Sequence, residues 1–143
     1  MQIPQNEKLS LGLLQGYLIF QIYLNSTKSF TIQISISNSM NSKRRVLFSC
    51  SKEFVINNYY CRFPFIKFFP TNTWVNLSID ILSFVNSCFS ENLRSIDFIC
   101  LSADCKIKKI CVMRKNFIDS LNDYYENEVS SIQKNFLLPS NIN

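Results

Sequence analysis

The chain has no histidine, and that absence removes much of the usual catalytic machinery. Without an imidazole, no Ser–His or Cys–His nucleophile system can be built. Zinc loses a common nitrogen ligand, and no Cys-x-x-Cys spacing compensates for it. Glycine is nearly as scarce: Gly12 and Gly16 are the only two. A glycine-rich phosphate loop or dinucleotide fingerprint is therefore excluded beyond residue 16. No apolar run is long enough to span a bilayer. The nearest, residues 9–24, is interrupted by Gln15, Gly16 and Gln21 and lacks a small-residue cleavage site, so it reads as a buried strand. The acids are few and scattered. Glu53, Asp80, Glu91, Asp97 and Asp104 show no paired spacing for acid–base work. Asp80 reads as a helix cap and Asp97 as a solvent-facing strand residue. A reactive thiol needs a depressed pKa; Cys105 beside Lys106 is the one weak candidate, and a turn thiol explains it better. The expectation is a protein that is not an enzyme and uses no cofactor or metal.

What is present is a core. Hydrophobic residues make up 47% of the 143 positions, and aromatics 14%, with thirteen Phe. That is a globular composition, with enough chain to bury one real core. The six cysteines (Cys50, Cys61, Cys88, Cys100, Cys105 and Cys111) allow a disulfide framework by number. Reduced thiols in a cytosolic compartment fit better, with Cys100 and Cys111 acting as small buried hydrophobes in strands.

Charge is unevenly spread. Residues 1–116 hold fourteen Lys/Arg against six Asp/Glu, a balance of +8, while residues 117–143 hold one against four, a balance of −3. A basic body suits an acidic partner: nucleic acid, an anionic membrane or an acidic protein surface. Ordinary solubilising charge is the alternative reading. The two densest clusters are Lys43, Arg44 and Arg45, and Lys106, Lys108 and Lys109.

Strand signals run through the chain. Residues 17–24 are continuously apolar, as in a buried strand. Residues 30–37 alternate: Phe30, Ile32, Ile34 and Ile36 share one face of a strand, because the side-chain period is two. Residues 44–50 place Val46 and Phe48 together, and residues 74–79 place Val75, Leu77 and Ile79 opposite Trp74, Asn76 and Ser78. Asp80 can cap a short helix carrying Ile81, Leu82, Phe84 and Val85. Residues 93–101 and 106–113 are two further strands joined by a turn at 102–104. In the aromatic stretch 54–69, Pro64 and Pro70 limit any strand to an edge or a short piece. Phe117, Leu121, Tyr124, Tyr125, Ile132 and Phe136 space as a C-terminal helix. Six or seven strands with little helix predict an antiparallel β-sandwich over residues 1–139, with a frayed tail at 140–143.

The strand 106–113 carries an internal conflict. If Ile107, Cys111 and Met113 face inward, so does Lys109; if Ile110 and Val112 do, so do Lys106 and Lys108. A bulge resolves this, and so does an edge strand whose lysines block aggregation. These lysines are thus either edge protection or a partner-facing patch.

The ordered blocks Gln2-Ile3-Pro4 with Leu11-Gly12, Phe30 to Ser37, Lys43-Arg44-Arg45-Val46-Leu47-Phe48-Ser49, Cys61-Arg62-Phe63-Pro64, Trp74 to Phe84, Leu93-Arg94-Ser95-Ile96, Cys105-Lys106-Ile107-Lys108-Lys109-Ile110 and Phe136-Leu137-Leu138-Pro139 carry a likeness. They resemble, in order, the cilia- and flagella-associated protein 20 family, including the version at the N-terminus of centriolar WD-repeat proteins. The resemblance implies a jelly-roll-type sandwich that binds the microtubule wall without catalysis. It implies a cytoskeletal place in the cilium or flagellum axoneme, at the inner junction, or in the centriole or basal body. Tubulin and other axonemal or centriolar proteins are the implied partners, with Lys43, Arg44, Arg45, Lys106, Lys108 and Lys109 as contacts. Relatives carry further N-terminal strands before the point matching Ile3. An unpaired sheet edge and poor solubility of this chain alone are therefore expected. The competing reading is a generic jelly-roll binding module for carbohydrate or nucleic acid. Tyr59-Tyr60-Cys61-Arg62-Phe63 could stack bases, but Phe63, Phe65, Phe68 and Phe69 flank prolines and are assigned to the core. Trp74, the only Trp, opens a strand and is assigned to the core or its rim rather than to a sugar-binding face. No small-molecule substrate and no membrane partner are expected.

Overall fold

The structure, a computed structural model, describes residues 1–6, 8–26, 30–49, 53–64, 69–102 and 104–114, and the backbone of 134–137. The strands are β1 (Gln2–Ile3), β2 (Tyr17–Leu24), β3 (Thr31–Asn38), β4 (Lys43–Ser49), β5 (Val55–Ile56), β6 (Tyr60–Pro64), β7 (Trp74–Asp80), β8 (Leu93–Ser102), β9 (Cys105–Met113) and β10 (Lys134–Leu137). One helix, α1 (Ile81–Phe89), joins β7 to β8. A six-stranded sheet has the order β1-β8-β3-β4-β6-β5, and a four-stranded sheet the order β10-β7-β2-β9. The inward residues of both sheets belong to one buried cluster, so the two sheets enclose a single core.

Alternation accounts for this core. Ile32, Ile34 and Ile36 of β3, Leu18, Phe20 and Ile22 of β2, and Leu77 and Ile79 of β7 are all fully buried. Three phenyl rings close one end. Phe84 of α1 meets Phe48 of β4 edge-on at 5.1 Å and Phe63 of β6 at 4.6 Å. Such ring pairs add to area burial through their quadrupoles. The core assignment also holds for Phe69, while Phe65 and Phe68 lie outside the described residues. Trp74 sits at the rim, 5.8 Å from Tyr23 in a T-shaped pair.

The helix starts where the sequence places it. Asp80 caps it, its carboxylate accepting from the Ser83 amide at 3.0 Å and the Ser83 hydroxyl at 2.6 Å. It ends at Ser90, in the left-handed region at φ 53°, whose amide donates to the Asn86 carbonyl at 2.8 Å. Ile81 donates its amide to the Gly16 carbonyl at 2.9 Å. The approach is close: a Cβ on Gly16 would stand 3.1 Å from the Leu82 Cβ.

Three expectations need correction. The sheets are mixed rather than purely antiparallel: β4 pairs parallel with β6, and β7 with β10. Phe136, assigned to a C-terminal helix, lies on β10; the remainder of that expected helix falls outside the described residues. Cys100 and Cys111 are half-buried rather than buried. Each lies between inward-facing neighbours in its strand and so turns to the outer face.

Both proposed resolutions of the β9 conflict occur together. Gln21 of β2 pairs with Lys109 and Ile22 with Ile107, so Lys108 is the extra residue of a bulge. The bulge lets Ile107, Ile110 and Val112 all pack against the core while Lys106, Lys108 and Lys109 stay exposed. Strand β9 is also an edge strand among the described residues.

Candidate partner-binding surface

The two basic clusters are not neighbours. Val46 and Phe48 point inward on β4, so Lys43 and Arg45 point outward from the six-stranded sheet. The lysines of β9 stand outside the four-stranded sheet, across the core. Lys43 and Arg45 therefore share one face and the β9 lysines another, so the six residues form no single surface.

In the cluster on β4, two of the three cations are already engaged. Asp97 lies on β8 at a bulge: Ser35 pairs with Phe98 and Ile36 with Ile96, skipping Asp97. The bulge lets Ile96 and Ile99 both face the core while Asp97 and Phe98 turn to the outer side. Asp97 is only 7% exposed, which corrects its assignment as a solvent-facing residue. Its carboxylate accepts from Ser10 at 2.9 Å, Ser95 at 2.8 Å, Ser37 at 2.5 Å and the Lys43 ammonium at 2.6 Å. Burial works to raise its pKa, but the bonds from Lys43 and the three serines outweigh burial and hold it at about 2. Ser10 reaches the site because residues 11–13 run beside β8: the Leu11 amide donates to the Asp97 carbonyl at 2.9 Å, and Leu13 bridges Ile96. Gly12 between them takes the left-handed conformation, φ 59°, where a side chain is disfavoured.

Arg44, which alternation turns to the inner side, meets Glu91 at 2.7 Å and lies 5.9 Å from the Phe89 ring centre. Burial works to raise the Glu91 pKa, and the Arg44 guanidinium outweighs it and lowers that pKa. Arg45 remains exposed, in a groove of about 960 Å³ that it shares with Lys8, Lys43, Tyr59, Tyr60 and Asp97.

On the second face the cations have no acidic partner among the described residues. Lys106 pairs across the sheet with Tyr23, which pairs with Trp74, giving a row of one cation and two aromatics. The Lys106 ammonium stands 5.5 Å from the Tyr23 ring centre, within cation–π range. The next row is Lys109, Gln21 and Asn76. Among the described residues, none of Arg45, Lys106, Lys108 and Lys109 forms an ion pair. No group of three or more potential metal-ligating acids or thiols occurs among the described residues.

These features define a mainly β domain of two sheets around one core, with basic residues on β4 and β9. Residues 1–129 match the CFA20 domain. The chain belongs to that cilia-associated family, in agreement with the ordered blocks of its sequence.

Proposed function

We propose that this chain is a non-catalytic structural protein of the microtubule wall in cilia, flagella or centrioles. Its sandwich is of jelly-roll type, consistent with β7, β8 and β9 alternating between the two sheets. The observation that carries the reading, beside family membership, is that the β9 lysines form no ion pair among the described residues. Lys43 and Arg44 neutralise Asp97 and Glu91, whereas Lys106, Lys108 and Lys109 stand exposed beside Tyr23 and Trp74 with no acid paired to them among the described residues. An acidic tubulin surface is the complementary partner. Cells expressing the tagged chain should show label along axonemes or at basal bodies, retained after detergent extraction. Label that washes out with soluble protein would overturn the assignment. Capture on immobilised glycans that 1 M salt leaves unchanged would favour the carbohydrate reading, since the Debye length there is only about 3 Å.

A further inference from the structure

A pair of thiols lies between β6 and α1. Cys61 lies on β6, two residues before Phe63, and is fully buried. Cys88 lies on α1, one helical turn after Phe84, and is half-buried. Residues two apart in a strand share a face, and residues four apart in a helix share a face. The Phe63–Phe84 ring contact, 4.6 Å between centres, and Ile56, which pairs with Cys61 and lines the same groove as Cys88, place the two thiols side by side. The two thiols are near enough to act on each other through a side-chain hydrogen bond. That bond, together with burial, pushes the Cys61 pKa well up. The same bond lowers the Cys88 pKa against the opposing effect of burial. Cys88 also lines a surface groove of about 480 Å³, beside Arg44, Tyr59 and Phe89, so a small solute can reach it. Cys100, Cys105 and Cys111 lie on β8 and β9 and have no second thiol in contact among the described residues.

We propose that Cys88 and Cys61 are a peroxide-responsive dithiol that closes reversibly to a disulfide joining α1 to β6. An accessible thiol beside a buried second thiol is the arrangement such chemistry requires. The Cys88 thiolate attacks one oxygen of hydrogen peroxide; the O–O bond breaks, hydroxide leaves and takes up a proton as water, and Cys88 becomes a sulfenic acid. The Cys61 sulfur then attacks the Cys88 sulfur, forming the S–S bond and expelling the sulfenic oxygen as a second water with the Cys61 proton. Overall, two thiols are oxidised and one peroxide is reduced to two waters. A dithiol reductant reverses the step. In the oxidised state the β5–β6 edge, with Tyr59 and Tyr60 beside it, is tied to the helix.

The test uses the whole chain, reduced, exposed to hydrogen peroxide, quenched with N-ethylmaleimide and digested without reductant for mass spectrometry. The expected product is a linked peptide pair containing Cys61 and Cys88, short of two hydrogens, with both thiols protected from the maleimide. Dithiothreitol should restore them. Oxidation should raise the thermal midpoint by about 5–15 °C, because the link closes a loop. Cys88→Ser, at a half-buried position, should fold, give no linked peptide and show no shift, with Cys61 remaining a thiol. Retention of both thiols would overturn the proposal. So would Cys88 ending as a sulfinic or sulfonic acid with Cys61 untouched, or a bond between the Cys88 residues of two molecules.

Discussion

Asp97 is the residue on which most of the polar order converges. Four donors from three parts of the chain meet at one carboxylate: Ser10, Ser37 and Lys43, and Ser95. The Lys43 side chain is 67% exposed, so its ion pair is screened by water, and the serine hydroxyls carry more of the stabilisation. Replacing Asp97 with Asn should destabilise the fold by about 1–3 kcal/mol at neutral pH, the range for bonds to a charged group. The pH dependence has a definite sign. The folded-state pKa of about 2 lies below the ordinary value of 3.8, so the contribution is complete above about pH 4 and is lost as pH falls towards 2. Urea midpoints of the wild type and D97N, measured across that window, should converge at the acid end. A gap that stays constant from neutral pH down to pH 2 would contradict this. The sequence does carry a sign of this site. Ile96 and Ile99, like Ile107 and Ile110, stand three apart, a spacing that a regular strand cannot bury on one face. At β9 the lysines make the conflict visible; at β8 the single acid is easily read as exposed.

Among the elements, β3 and β9 are decisive. Strand β3 lies between β8 and β4, and its alternation is readable directly from the residues. Ile34→Ala should cost about 2–5 kcal/mol, measured by chemical denaturation, since its side chain is fully buried. Strand β9 tests the bulge. Lys108→Ala should change stability by no more than about 0.5 kcal/mol, as a surface substitution. Deleting Lys108 removes the extra residue and leaves Ile107 and Ile110 two apart, on one face of a regular strand, so the core pairing should survive and thermal unfolding should occur near wild type. A deletion variant that unfolds far below wild type would mean that Lys108 is not the extra residue of the bulge. The parallel pairings of β4 with β6 and β7 with β10 were not legible, because periodicity reports a strand's faces and not its neighbours. The Arg44–Glu91 contact, 47 residues apart in sequence, was hidden for the same reason.

At the scale of the whole molecule, the sandwich turns two similar basic sequences into unlike surfaces. One has two of its three cations matched by internal acids, and the other lies on an edge strand, open and flanked by aromatics. Exposed lysines on an edge also discourage strand pairing, and the six-stranded sheet ends in strands of only two residues, β1 and β5. Edge protection alone, however, asks nothing of a partner, and that difference can be measured. The most direct measurement is co-sedimentation of the purified chain with microtubules, comparing wild type with Lys106→Glu/Lys108→Glu/Lys109→Glu and with Arg45→Glu. Each exposed contact contributes only about 0.2–1 kcal/mol, so the lysines are reversed together. Wild type should pellet with microtubules and be released by salt. The β9 triple reversal should remain in the supernatant with its circular dichroism and thermal midpoint unchanged, and Arg45→Glu should pellet nearly as wild type does. A folded triple reversal that pellets with wild-type affinity would contradict the proposal and leave the β9 lysines as edge protection.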